Sequence, residues 1–253
     1  ITLVFGLLAI GLAYFGAAAS GQVGFTQVST TIVSLSSLAV FLIPLIALML
    51  AYDSIVGEDE QGTLLLLLTY PMSRVEILVG KFLGHAAILG VSTLVGFGVA
   101  GAIIAALGSV EQLGELVAAL ALFILSAMLL GWAFIGFAYL ISVSVAEKSK
   151  AAGIALVVWF LFVIVFDLAL LGVLVGTGGQ VSEGLFHYLL LLNPTDIFRI
   201  VNLTFFEAAR TQAGLASIGA NAGLHPALLI GALLAWVVIP LGLALWVFRR
   251  REI

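Results

Sequence analysis

The chain has no cysteine in its 253 residues. Disulfides, thiolate zinc sites and a thiolate path for soft metals are therefore excluded. Three methionines, Met49, Met72 and Met128, lie far apart in sequence and do not restore such a path. Charge is scarce as well: 9% of residues are Asp, Glu, Lys or Arg, against about 25% in a soluble globular chain. So little polar surface excludes a water-soluble enzyme, and no basic patch is present to hold nucleic acid. Disorder is excluded by the same apolar excess. The chain has no G-x-x-x-x-G-K-[ST] and so no P-loop; any ATPase must be another polypeptide. His85, His187 and His225 have no metal-ligand spacing, and no catalytic constellation or metal site is expected.

What the chain has is apolar length. Apolar residues make up 63% of it and mean hydropathy is +1.31, the composition of an all-α polytopic membrane protein. Six apolar runs are long enough to cross a bilayer: 1–19, 31–52, 82–107, 116–146, 151–175 and 226–248. The first has no initiator Met or polar lead-in, so further residues are expected before Ile1. Ala17–Ala19 resembles a signal-cleavage site, but no cationic region precedes it, and the run is read as a span. Pro44 should kink the second run. The fourth run, 31 residues, calls for tilt or extension beyond the bilayer. The fifth is interrupted only by Asp167. The whole chain reads as one transmembrane domain.

Six spans put both termini on one side. Arg74, Lys81, Lys148, Lys150 and Arg249–Arg251 then share that side, seven cations against Arg199 and Arg210 opposite. The positive-inside rule assigns the seven to the cytoplasm. Two connections are long enough to hold structure, 53–81 inside and 176–225 outside.

The inner connection places Glu58, Asp59 and Glu60 before five leucines, Leu64–Leu68, which Pro71 ends. Acids suit a helix N-terminus. Ser73 with Glu76 forms a capping box for the next helix. Arg74 and Lys81, seven apart, share a face of that helix. The expectation is a short helix across the cytoplasmic end, its acidic end open to a soluble partner; the bland alternative is a solvated loop.

Gly57-Glu58-x-x-x-Gly62-Thr63-Leu64-x-x-Leu67-Leu68-x-x-Pro71-x-Ser73-Arg74, followed by Leu78-x-Gly80-Lys81, resembles the first cytoplasmic region of ABC-2 type transporter permeases. The resemblance implies a six-span ABC-2 (type V exporter-like) fold and a coupling helix that docks on an ATPase subunit. Gly57, Glu58, Asp59, Glu60, Gly62, Thr63, Leu64, Pro71, Arg74 and Lys81 are the implied coupling residues. It further implies a permease homodimer, two ATPase subunits that carry the ATP and Mg, and a bacterial inner-membrane location. Residues 57–85, 191–199 and the Arg249–Glu252 tail are similar, within that family, to permeases serving copper-site maturation of nitrous oxide reductase in denitrification. That branch implies a periplasmic copper-handling partner. Residues 146–150 match by position the family's minor ATPase contact; positive-inside anchoring explains them equally.

In the outer segment, Asn193-Pro194 marks a turn. Thr195 is a plausible N-cap, and Ile197, Ile200, Val201, Thr204 and Ala208 follow at helical spacing. Asp196/Arg199 and Glu207/Arg210 are i,i+3 pairs. The expectation is an amphipathic helix of about 15 residues lying at the outer interface, either sealing the bundle or docking the periplasmic partner through Asn193, Pro194, Asp196, Arg199 and Arg210.

Gly96–Gly101 matches G-x-G-x-x-G but lies inside an apolar span without a preceding strand, so it is read as helix packing. Gly80/Gly84 and Gly172/Gly176 are read the same way. Asp167 is the intramembrane carboxylate, either functional or a hydrogen-bonded packing residue. The function expected is transduction by a permease subunit without catalytic residues of its own. An exporter of a lipid, drug or peptide is the alternative within the class. A stand-alone channel or secondary transporter is disfavoured, because it would want several paired intramembrane charges.

Overall fold

The computed structural model describes residues 28–107, 113–178, 183–204 and 225–251, with residues 2, 3, 6, 7 and 11 besides. The expected first span and Arg210 lie largely or wholly outside these residues. Ten α-helices are described: α1 Val28–Ala51, α2 Val56–Glu60, α3 Thr63–Thr69, α4 Arg74–Leu107, α5 Leu113–Ser144, α6 Lys148–Phe160, α7 Phe166–Gly176, α8 Glu183–Leu191, α9 Pro194–Thr204 and α10 Pro226–Arg250. A π-helical turn, Leu161–Val165, joins α6 to α7. No strand occurs among the described residues.

Helix is the only regular structure that satisfies its own backbone in a bilayer, and uncharged runs of this length allow nothing else. Among the described residues, five helical stretches are long and apolar enough to cross a membrane: in α1, α4, α5, α6–α7 and α10. They alternate in direction, so the C-terminal ends of α1, α5 and α10 meet the N-terminal ends of α4 and α6 at one end, here called the cationic end. Helix α5 is the centre, packing on α1, α4 and α10. Phe123, Phe134 and Tyr139 on it are fully buried. Its Gly136 faces Val237 and Pro240 of α10, where a Cβ would sit 3.4 Å from the Val237 carbonyl oxygen. Gly131 faces Leu89 of α4 and Ile43 of α1. Tryptophan N–H groups tie helices to carbonyls across the bundle: Trp132 to Ala86, Trp159 to Phe41 and Trp236 to Leu191. The α6–α7 span is the least enclosed.

The outer segment departs from expectation. Helix α9 does not lie on the rim with a wet polar face. It is inserted among α1, α5 and α10, with Asn193, Thr195, Ile197, Phe198 and Ile200 fully enclosed and Asp196 only 3% exposed. The physical reason is that its polar groups find partners inside. Asn202 Nδ2 donates to Ser126 Oγ of α5 at 3.1 Å, and Asn193 Nδ2 to the Phe162 carbonyl of the π turn at 2.9 Å. Once hydrogen-bonded, the polar face need not face water. The cap also shifts by two residues. Asn193 Oδ1 accepts from the Thr195 N–H at 3.0 Å, so Asn193 caps the helix and Pro194 takes its first turn, where a missing N–H costs nothing.

The glycine pairs divide. A Cβ on Gly101 would meet Leu120 at 2.3 Å, which is close packing. Among the described residues nothing lies within 4 Å of a Cβ built on Gly80, Gly84, Gly172 or Gly176. Those pairs do not pack within the described part of the chain.

Candidate functional site

The connection between α1 and α4 folds as two short helices with a break at Gly62. Gly62 has φ +71°, a left-handed conformation that a Cβ disfavours. Its N–H bonds the Asp59 carbonyl at 3.0 Å, closing α2 before α3 starts in a new direction. Thr63 Oγ1 donates back to the Glu58 carbonyl at 3.2 Å. Leu64 is fully buried and anchors α3 to the bundle. Beyond it the helix and the turn after it point apolar side chains outward: Leu65 is 56% exposed, Leu66 63%, Tyr70 63% and Met72 44%. Pro71 and Ser73 lie beside them at the surface. The capping box is present: Ser73 Oγ accepts from the Glu76 N–H at 3.2 Å, and Glu76 Oε2 accepts from the Ser73 N–H at 2.6 Å.

The acids of this segment have partners within the chain. Glu58 pairs with Lys81 of α4, and Lys81 also donates to the Ser54 carbonyl at 3.0 Å. Asp59 pairs with Arg251 at 2.6 Å. Asp53 pairs with Lys148 at 2.5 Å. Glu60 Oε1 accepts from the Lys148 backbone N–H at 2.6 Å. Arg74 caps the end of α10, donating to the carbonyls of Phe248 at 2.8 Å and Arg251 at 2.6 Å. Gly57 is buried, a Cβ there lying 3.5 Å from that of Asp53. The outward face of the segment is thus chiefly apolar, and much of its acidic charge is turned toward the bundle.

Toward the opposite end, Asp167 is paired rather than isolated. Arg199 Nη1 donates to Asp167 Oδ2 at 2.6 Å and to Asp196 Oδ1 at 3.0 Å. Asn193 Nδ2 donates to the other Asp196 oxygen at 3.1 Å as well as to Phe162. One guanidinium therefore bridges the α6–α7 span and α9 beside the π turn. No group of three His, Cys, Asp or Glu side chains that could hold a metal occurs among the described residues. An apolar cavity of about 560 Å³ opens between α4 and α5, lined by Leu94, Gly101, Leu116, Leu120 and Met128 among others.

Sequence reasoning located the 57–81 motif, Asp167 and Arg199 and joined Arg199 to Asp196 by their i,i+3 spacing, but it joined none of the long-range pairs. It overlooked Ser142 and Asp53, and it took Arg251 as a topology signal and part of the similar C-terminal tail, not as a partner of Asp59. The long-range ion pairs join residues 23 to 192 positions apart, and no local spacing reports them. The outward run Leu65, Leu66, Tyr70 and Met72 was legible as leucine excess, since a connecting loop has no need of it.

Compared with known families, residues 1–253 match the ABC-2 family transporter protein. A probable ABC transporter permease protein NosY of Stutzerimonas stutzeri is 55% identical over 99% of this chain and 91% of its own length. A protein of the same description in Pseudomonas aeruginosa strain PAO1 is 52% identical over 100% of this chain and 92% of its own. Identity of this extent, over a helical bundle with its polar contacts gathered toward the two ends, places the chain in the ABC-2 family of transporter proteins, as a multi-pass membrane permease similar to NosY.

Proposed function

We propose that the chain is the membrane-spanning subunit of an ATP-driven transporter that serves maturation of the copper site of nitrous oxide reductase. Similarity to NosY permeases over 99–100% of this chain supports this reading. The single structural observation that carries the coupling role is the exposed apolar face of Leu65, Leu66, Tyr70 and Met72 on a folded, capped segment at the cationic end. In a membrane protein such a face outside the spans needs a partner. The partner of this reading is an ABC ATPase subunit carrying the ATP and Mg, two of them on a permease homodimer. The cationic end is cytoplasmic by the positive-inside rule, in the bacterial inner membrane with both termini inside. The opposite end then faces a periplasmic copper-handling protein. The permease transmits ATPase closure to that protein. The apolar cavity between α4 and α5 favours one second reading, an exporter of a lipid, since it has the chemistry of an acyl chain.

The test is co-expression with a candidate ABC ATPase subunit from the same organism. Leu65→Glu with Leu66→Glu should abolish co-purification of the ATPase while the permease still inserts and folds. In cells lacking the native permease, the wild-type gene should restore copper to nitrous oxide reductase and the double variant should not. Undiminished ATPase capture by the double variant rejects the docking face. Full copper content without the permease rejects the maturation role.

A further inference from the structure

The segment 53–60 is bonded at the cationic end to each of the five described spans. Helix α1 runs straight into it. Helix α4 holds it through Lys81, on Glu58 and on the Ser54 carbonyl. Helix α5 holds it through Ser142, whose Oγ accepts from both the Ile55 and Val56 N–H groups, at 3.0 and 3.1 Å. Those two donors sit at the start of α2, where helix N–H groups lack internal partners. Helix α6 holds it through Lys148, on Asp53 by side chain and on Glu60 by backbone. Helix α10 holds it through Arg251 on Asp59. Arg251 further donates to the carbonyls of Val143 and Val145 at the end of α5, at 3.4 and 3.3 Å. Its own carbonyl is held by Arg74 of α4. The contacts close a ring.

We propose that this ring is a clamp, with Asp59, Arg251 and Ser142 as its positioning residues. It makes segment 53–60 one block with the inner ends of all five spans. A push on the neighbouring apolar face then moves the spans together rather than bending one connection. The acids take the inward role: they fasten the segment to the bundle, and the apolar residues after Gly62 meet the partner. This deepens the coupling role proposed above and rests on it. Charge alone would have made the acids the docking face; their distances to Lys148, Lys81 and Arg251 make them the fastening.

The experiment uses Asp59→Arg, Arg251→Asp, the combined swap, and the milder Arg251→Gln in case a reversal prevents folding. In the permease alone, Ile55→Cys reports the clamp, because Ile55 is fully buried and the chain has no other thiol. Arg251→Asp or Arg251→Gln should raise its labelling rate by about tenfold or more, as local opening exposes it; the swap should restore protection. In the complex with the ATPase, each reversal should leave ATPase capture intact. Each should abolish the ATP-dependent change in labelling of Gly184→Cys at the far end, and the swap should regain it. Loss of ATPase capture in Asp59→Arg that the swap does not recover would overturn the proposal and put the acids against the partner. Unchanged Ile55→Cys protection in all variants would overturn it too, whatever the docking face does. Failure of the docking reading shows separately, in capture by the Leu65→Glu, Leu66→Glu protein.

Discussion

Asp167 and Arg199 set the outer residue chemistry. A carboxylate in an apolar span is costly unless paired. Arg199 is shared between Asp167 and the nearly enclosed Asp196, so the two acids are not equivalent losses. In Asp167→Asn, Arg199 keeps Asp196, and the expected cost is about 1 kcal/mol or less. In Arg199→Glu, three acidic groups crowd together with no cation, and the expected loss is on the order of 3 kcal/mol. Thermal unfolding of the two variants in detergent checks the ranking. Equal melting temperatures would mean that the guanidinium bridge contributes nothing. The sequence marked Asp167 by its hydropathy contrast and Arg199 by its i,i+3 acid. That both hold one another across 32 residues follows only from α9 entering the bundle, because a surface helix would have left Arg199 in water.

At the scale of elements, the five described spans, the short helix after Gly62 and the capping box were all readable locally. Each is decided by residues within one or two turns of one another: an uncharged run, an early glycine, a Ser followed three later by Glu. Ser73→Ala should accordingly cost about 1 kcal/mol, the ordinary worth of an N-cap. The placement of α9 was not readable, because amphipathicity says that a helix has two faces and not whether protein or lipid headgroup covers each. The π turn at Leu161–Val165 was equally hidden, since Leu-Phe-Val-Ile-Val fits an α-helix as well. Close approach of α4 and α5 depends on Gly131. A Cβ there would stand 2.2 Å from Leu89 Cδ2 and 3.2 Å from Ile43. Gly131→Leu should therefore overpack the centre by about 1–3 kcal/mol. Gly84→Leu, at an open position, should be nearly silent. Paired melting curves of the two variants test this, and a larger loss in Gly84→Leu would show that a partner molecule covers that face.

For the molecule as a whole, the alternation of five described spans places segment 53–73, the α5–α6 connection and Arg251 together at one end, with α8 at the other. Single cysteines at Gln61 and Gly184, both exposed, should react with an impermeant thiol reagent from opposite sides of the membrane. Gln61→Cys should be silent in intact cells and labelled in inverted vesicles, and Gly184→Cys the reverse. Labelling of both from one side would break the proposed topology.

Membrane class and the five described spans were legible in the sequence alone, because the bilayer acts as a uniform solvent that sorts residues one by one. Transfer free energy sums along a run, and the cation excess sums over a loop; neither sum needs to know which helix neighbours which. The 57–81 motif was likewise legible as a pattern of types and spacings. Tertiary structure decided how charges pair, because pairing depends on distance in space and on which faces the packing encloses. It bonded Glu58, Asp59 and Glu60 to Lys81, Arg251 and the Lys148 backbone, and left Leu65 and Leu66 outward. It also drew Asn193 and Asp196 from the expected rim into the bundle. Glu58, Asp59, Glu60 and Asn193 were each satisfied by a partner brought in from a distant part of the chain, and only the fold supplies that partner.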